Sequence, residues 1–195
     1  MMDSHAAGLD GASAKTALTL LQELPFEMLL ATDGRTTELL ETLLREKLVV
    51  TVLRQEKLPE GQVGAGEGGA VYVRESVLSG EKSRFIVSHN IALVSAKHLP
   101  APLFENIASK QEGIGKTIGS SALRSFRNVI ESGRVNAEDA VDLFGRPLRL
   151  RLEELSGKVP YKRYEIYFGP HPGIRMLEYY HPDLVERRLK QELRG

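Results

Sequence analysis

Two runs of strand-forming residues, separated by one short polar turn, constrain the fold of this chain more than any other feature. Residues 70–78 and 84–94 are rich in β-branched side chains, which favour pleated strands. Residues 79–82 (SGEK) between them have the composition of a turn. The pattern predicts an antiparallel hairpin, and therefore a sheet that contains neighbouring strands of opposite direction.

The first of these runs carries polar side chains on one face. Successive side chains alternate between the two faces of a strand, and one face here consists of the valines at positions 71, 73 and 77. The other face carries Tyr72, Arg74 and Ser76. An arginine between a tyrosine and a serine indicates a polar cavity face rather than a second dry core.

Helical patterns precede this hairpin and strand patterns follow it. Leucines recur at helical spacing in residues 18–24 and 39–44, and Pro25 is expected to interrupt the first helix. Residues 121–132 fit either a helix or a strand. The other predicted elements are a strand at 48–53, a short helix at 100–109, strands at 148–152 and 159–168 joined as a hairpin by the turn 156–158, and a surface helix from residue 182. This order predicts an antiparallel α+β domain.

Size and charge narrow the possible functions. The 195 residues fit one domain, and 42% hydrophobic with 27% charged residues can bury a core. Lys and Arg number 26, as do Asp and Glu, so the formal net charge of zero argues against a nucleic-acid partner. Without cysteine the chain forms no disulfide, and we expect a cytoplasmic location. No apolar run is long enough to span a bilayer, so we expect no membrane partner.

Two glycine-rich strings resemble nucleotide-binding motifs but lack the required context. Residues 64–69 (GAGEGG) match G-x-G-x-x-G, yet a strand follows where the dinucleotide fingerprint needs a helix. The loop containing them is better interpreted as a flap over a site. Residues 115–117 (GKT) resemble the end of a phosphate-binding loop, but Lys110 occupies the position of its first glycine. No two of the five histidines have the i, i+4 spacing of helical zinc ligands, so we expect no metal.

Several segments, taken in order, resemble bacterial chorismate pyruvate-lyases. Residues 142–152 (DLFGRPLRLRL) are similar to a family segment in which Gly-Arg is followed by an R-L-R-L strand. The other segments in register are 33–36 (DGRT), 71–75 (VYVRE), 93–101 (LVSAKHLPA, similar to the actinobacterial branch), 113–115 (GIG) and 164–168 (YEIYF). The resemblance covers roughly residues 20–170. Arg35 and Gly113 depart from the family pattern, and Arg35 changes the expected charge of the pocket.

The resemblance implies a twisted antiparallel sheet flanked by helices, with an enclosed ligand cavity. It places the domain at residues 16–170, after a disordered tail at 1–15 and before a C-terminal extension at 171–195 that packs on or flanks it. Residues 121–131 become a strand on this template. The implied activity is elimination of pyruvate from chorismate to give 4-hydroxybenzoate or a related hydroxybenzoate, without metal or organic cofactor. The same fold forms effector-sensing domains of bacterial transcription regulators.

The resemblance also implies which residues bind and transform a small carboxylic acid. Arg74 is expected to pair with the substrate carboxylate, because guanidinium and carboxylate groups bind bidentately. Glu165 is expected to be the general acid, because desolvation in a closed pocket favours its neutral form. The backbone of Ile114 and Gly115 is expected to approach the ligand closely, and Arg35 to contact a second carboxylate.

Two alternatives remain open on the sequence. Judged by pattern alone, Arg74 and Glu165 are more often members of surface or cross-strand pairs. A domain of this type can also be a sensor that binds a small acid without converting it. The glutamate at position 165 favours the enzyme, since a pure binder needs no acid there. We expect a monomer or a homodimer.

Overall fold

The computed structural model describes residues 11–34, 36–59, 69–109, 113–120, 123–155 and 157–193. Within them the helices are α1 (Gly11–Ala31), α2 (Thr36–Leu44), α3 (Ala101–Ser109), α4 (Ile114–Ser120) and α5 (Leu184–Glu192). The strands are β1 (Leu48–Lys57), β2 (Val71–Gly80), β3 (Ile86–Ser95), β4 (Phe126–Val135), β5 (Val159–Tyr167) and β6 (Pro172–Tyr180).

The six strands form one sheet in the order β1-β2-β3-β6-β5-β4, and every neighbouring pair is antiparallel. This confirms the predicted α+β class with an antiparallel sheet flanked by helices. The predicted hairpin of β2 and β3 is also confirmed, with Ser76 opposite Asn90 in its register. β4 falls partly within the segment that the resemblance assigned to a strand.

Helix α1 continues through Pro25, so the predicted interruption is wrong. A proline inside a helix removes one N–H donor, whose partner is the carbonyl group four residues earlier. That residue is Leu21, which is 61% exposed, so water can replace the lost hydrogen bond. The buried side chains of Phe26 and Leu29 anchor the following turn to the core. The helix begins at Gly11, which places part of the predicted 1–15 tail in α1; residues 1–10 lie outside the described part.

The predicted strand at 148–152 is not a strand, and its predicted hairpin with β5 does not form. The described backbone there is irregular, with an isolated bridge between Val141 and Pro147. The alternation in the sequence is nevertheless real, because Leu148, Leu150 and Leu152 pack inward while the intervening arginines are exposed. Alternation reports which side of an extended chain is buried, and it does not require a hydrogen-bonded neighbour.

Residues 172–180 form β6 in the middle of the sheet, so this segment does not flank the domain as an extension. β6 pairs with β3 on one side and with β5 on the other. A central strand covered on both faces buries nearly every side chain, and β6 alternates little between buried and exposed positions. This explains why the period-2 signal that revealed β2 was missing here.

The two faces of the sheet have different covers. Helices pack on the first, named the helix-covered face. Their buried side chains are Phe26, Leu29, Leu40, Leu44, Leu103, Ile107, Ile114, Ile118, Leu184 and Val185. Residues 136–155, named the cover segment, lie on the second, named the loop-covered face. The cover segment contributes Ala137, Ala140, Leu143, Phe144, Leu148, Leu150, Leu152 and Leu155 to one apolar cluster.

None of the described helices combines the length and the hydropathy that a bilayer crossing requires.

Candidate ligand site on the helix-covered face

Arg74 lies on β2 under the helices, with 2% of its surface exposed. Its Nη1 donates to Gln55 Oε1 at 2.8 Å and to the carbonyl oxygen of Ile107 at 3.0 Å. Gln55 in turn donates to the carbonyl oxygen of Ala108 at 2.7 Å. These carbonyls belong to the last turn of α3, which has no intrahelical donors for them. Arg74 therefore caps a helix C-terminus, where the helix dipole favours a cation.

Lys162 on β5 has the same role at the end of α1, and it is 1% exposed. Its Nζ donates to the carbonyl oxygens of Leu29 at 2.9 Å and Thr32 at 3.1 Å, and to Thr36 Oγ1 at 3.3 Å. Burial lowers the pKa of the Lys162 ammonium, and likewise that of the Arg74 guanidinium. Two sheet cations therefore hold two helix ends against this face.

A row of polar side chains crosses the helix-covered face. Ser76, Asn90, Glu178 and Lys162 are directly paired in register across four neighbouring strands, so their side chains point to the same side. We name this row the buried polar row. Ser76 and Asn90 are 9% and 8% exposed, and Glu178 is partly buried. Arg74 lies two residues from Ser76, about 7 Å along the same strand.

One atom of this row is left without a partner. Asn90 Oδ1 is buried and makes no hydrogen bond within the described structure. Buried polar side-chain atoms are usually paired in folded proteins, because an unpaired one keeps its full desolvation cost. Asn90 therefore marks a position where a hydrogen-bond donor fits.

Glu178 is the acceptor of this row. Tyr180 donates its hydroxyl to Glu178 Oε2, and Thr36 Oγ1 accepts from Lys162. Lys162 and Thr36 therefore form one hydrogen-bonded pair of this face, and Tyr180 and Glu178 form another. Burial, with Glu178 nearby, raises the pKa of Tyr164 and of Tyr180 well above its usual value, so both stay protonated.

Arg127 on β4 adds a third cation to this face. Its Nη1 donates to the carbonyl oxygens of Asp33 at 3.3 Å and Gly34 at 2.9 Å. Its Nε is buried and has no hydrogen-bond partner in the described structure. Three cationic side chains, Arg74, Lys162 and Arg127, therefore lie on this face, and the carboxylates of Glu178 and Asp33 both act to raise the pKa of Lys162 against the effect of burial.

Glu165 lies on the opposite face from Arg74, so the structure does not bring the two predicted catalytic residues together. Glu165 is paired in register with Arg175, which is paired with Leu93 of the loop-covered cluster. Arg175 Nε lies 3.4 Å from Glu165 Oε1, and the Tyr167 hydroxyl donates to Glu165 Oε2 at 2.5 Å. This is the cross-strand pair that the sequence left open as an alternative. One pocket cannot contain Arg74 and Glu165 while the sheet separates them.

The remaining predicted site residues have mixed positions. Ile114 and Gly115 begin α4. The Ile114 side chain is buried in the apolar cluster on the helix-covered face, and Gly115 has open space where a side chain would lie. Arg35 and residues 64–68 of the G-x-G-x-x-G segment lie outside the described residues.

Sequence reasoning missed Lys162, Glu178 and Asn90. Lys162 and Glu178 looked like ordinary strand charges among neighbouring arginines and tyrosines. A usable signal existed in β3, where Ser88, His89 and Asn90 interrupt an otherwise apolar run that a buried strand would fill. Polar residues inside such a run point to a buried network.

Among the described residues, no metal-binding cluster lies at the buried polar row, and a small surface depression lies away from it. No group of three or more His, Asp or Glu side chains within them is arranged to hold a metal ion. A small depression on the loop-covered face is lined by Val71, Leu93, Ser95, Pro172, Gly173 and Arg175, and none of these was predicted as a site residue.

No protein-family model matches the chain, and no match was found among curated proteins. Among solved structures, the chain is similar to the effector domain of PhnF from Mycobacterium smegmatis, at 16% identity and a TM-score of 0.47. That match covers 77% of this chain and 91% of the other. It is also similar to the C-terminal domain of the histidine utilization repressor from Pseudomonas syringae pv. tomato str. DC3000. There the identity is 12%, the TM-score 0.43, and the coverage 69% of this chain and 92% of the other.

Proposed function

We propose that this chain is a small-molecule sensor domain that binds an organic anion between its sheet and its helices. The observation that supports it is the buried polar row beside the cations of Lys162 and Arg127, because Arg127 Nε is buried without a partner in the described structure. Arg74 lies on the same face. A buried cation whose donors are not all paired is costly, and an anionic ligand offsets that cost.

The unpaired atoms support the same site. Asn90 Oδ1 and Arg127 Nε are both buried and both lack a partner in the described structure. Each such group costs about 1–3 kcal/mol when it stays unpaired. A ligand with an acidic group for Arg127 or a donor for Asn90 recovers part of this free energy.

Binding without turnover fits the arrangement better than the lyase reaction. The expected proton donor, Glu165, is separated from Arg74 by the sheet. Glu178 shares the face of Arg74, but the Tyr180 hydroxyl donates to it. That arrangement suits a carboxylate that accepts hydrogen bonds, and a general acid has to donate a proton instead.

A chorismate lyase remains the second candidate for one reason: Arg74 and Glu178 lie on the same face, as a substrate-binding arginine and an acid must. In that case Glu178 takes the role predicted for Glu165. The reaction needs neither metal nor organic cofactor, and the described residues offer hydrogen bonds and charge alone.

The test combines binding and turnover. Purified protein is heated with 4-hydroxybenzoate, chorismate or inorganic phosphate while unfolding is followed, and pyruvate release from chorismate is measured in parallel. We expect a rise in Tm with at least one of these anions and no pyruvate. Arg127→Met should weaken that binding by about 1.5–3 kcal/mol, the size of a charged hydrogen bond. Arg124→Met is the matched control, because Arg124 is exposed on the segment before β4.

Each result decides between the candidates. Pyruvate release that Glu178→Gln abolishes would establish the lyase. Binding that Arg127→Met and Arg124→Met affect equally would place the ligand elsewhere. Absence of any Tm shift with all three anions would refute an organic-anion site of this kind.

A further inference from the structure

We propose that the connection between α1 and α2 is a ligand-released latch: Lys162 and Arg127 hold it on the sheet, and an anion that binds Lys162 frees it. The α1–α2 connection is defined as residues 29–34 together with Thr36. The inference rests on the proposed function, since it requires an anion at the buried polar row. It adds a conformational response that binding alone does not include.

The first argument is that the donors of Lys162 are fully used. An ammonium group has three N–H donors. Lys162 Nζ donates to Leu29 O, Thr32 O and Thr36 Oγ1, all between 2.9 and 3.3 Å and all in the connection. An anion can therefore bind this ammonium only by displacing one of the three. Hydrogen bonds to an anion are about twice as strong as those to neutral oxygens, so the exchange favours the anion.

The second argument is that Lys162 belongs to the connection and to the buried polar row at the same time. It is paired in register with Glu178, the next member of the row. Thr36 Oγ1, at the start of α2, accepts from Lys162. A ligand that changes the partners of Lys162 therefore disturbs the first residue of α2 directly.

Arg127 has a different role in the same latch. It holds the carbonyl oxygens of Asp33 and Gly34 through Nη1. Its buried Nε has no partner in the described structure, so it can receive an anion without giving up either carbonyl. Arg127 can thus bind the anion while it keeps both of its hydrogen bonds to the connection, whereas Lys162 has to give up one of its three.

Hydrogen exchange of the whole chain, followed by mass spectrometry, tests the latch. The probes are 4-hydroxybenzoate and inorganic phosphate, each compared with chloride at equal ionic strength. At a probe concentration that saturates the Tm shift, amides of residues 29–34 should exchange about tenfold faster, within the usual range of coupling between sites. A Tm shift without faster exchange there overturns the latch and leaves the proposed function intact. No Tm shift with either probe overturns both.

Two variants separate a latch from simple structural support. Lys162→Met should give fast exchange in residues 29–34 that no probe increases further, while Arg163→Met, its exposed neighbour on the other face, should behave like the wild type. Thr36→Val removes one competing oxygen from Lys162, so it should tighten probe binding about two- to tenfold, the size of one neutral hydrogen bond. Weaker or unchanged probe binding in Thr36→Val contradicts the proposal that Thr36 and the anion compete for Lys162. This test remains valid even if Lys162→Met fails to fold.

Discussion

The two faces of this sheet both carry apolar clusters, but their buried polar groups differ. On the loop-covered face, buried polar side chains fasten the cover segment: His89 Nδ1 accepts the N–H of Arg151, and the Tyr179 hydroxyl donates to the carbonyl oxygen of Val141. On the helix-covered face, Asn90 and Arg127 retain buried atoms without partners in the described structure. Among the described residues, the loop-covered face leaves one such atom, Ser95 Oγ beside the small depression, whereas the helix-covered face leaves two, and one of those belongs to a cation.

That difference is the basis of the proposed anion site on the helix-covered face. A buried network whose members are all paired gives rigidity, and unpaired members are costly unless something else completes them. The exposed pair of Glu165 and Arg175 is a poor site by comparison, because solvent can satisfy both groups. Function is therefore better sought among incompletely paired buried groups than among conspicuous charges in strands.

The largest expected change in stability tests whether the side chains on both faces of β6 are tightly packed in the core. Ile174 and Leu177 are 0% and 4% exposed and lie on opposite faces of this strand. Replacing either by alanine leaves a cavity, so each change should lower the free energy of unfolding by about 2–5 kcal/mol. Denaturant unfolding measures both. A small cost for Leu177→Ala alone would mean that the cover segment packs loosely and relaxes into the space.

The next effect contrasts the two residues that the sequence placed in one pocket. Arg74→Met leaves the carbonyl of Ile107 and the amide oxygen of Gln55 without their donor, so it should cost about 1–3 kcal/mol of stability. Glu165→Gln disrupts a partly exposed pair and should cost about 1 kcal/mol or less. Equal costs, measured by denaturant unfolding, would contradict the distinction between the faces.

The smallest effect is a pH dependence that belongs to the loop-covered face. Burial lowers the pKa of His89 from its usual 6.5, and the opposing attraction of Glu75 is weaker. Nδ1 accepts from Arg151 and Nε2 donates to Glu75, so the folded state holds the neutral ring. Below about pH 6.5 the His89 ring is protonated in the unfolded chain but stays neutral in the folded state. The free energy of unfolding should therefore fall as pH falls. Above that pH His89 adds no pH dependence.

The control is His89→Gln, which has no titrating ring. Its stability, measured by urea unfolding between pH 7.5 and 5, should fall less steeply with acid than that of the wild type. Parallel curves would show that His89 does not favour its neutral form in the fold.

The sequence predicted the elements whose two faces differ. The β2–β3 hairpin was recognisable because its valines alternate with polar residues, and α3 because its apolar residues recur at helical spacing. β6 was missed because both of its faces are buried. Residues 148–152 were assigned to a strand because one side is buried, although they make no ladder with a neighbour. Local pattern reports burial, whereas strand pairing depends on distant residues.

The candidate site was predictable only in part, for the same reason. Arg74 was identified by its polar neighbours in β2 and by the family resemblance, and the structure buries it. The catalytic role of Glu165 stays a prediction, and the sequence did not show which way its strand faces, since a shift of one residue reverses that. The closeness of Glu178 and Lys162 depends on the pairing of β5 with β6, and no short stretch of sequence contains that information.

The central place of β6 also dictates when this fold can be completed during synthesis. β1, β2 and β3 leave the ribosome early, and β4 and β5 follow much later, but β6 has to join the two groups. Until residues 172–180 have emerged, the inner edges of β3 and β5 both lack their neighbour. Unpaired strand edges invite contacts with other chains, so a nascent chain that stalls before β6 is expected to be the aggregation-prone form of this protein.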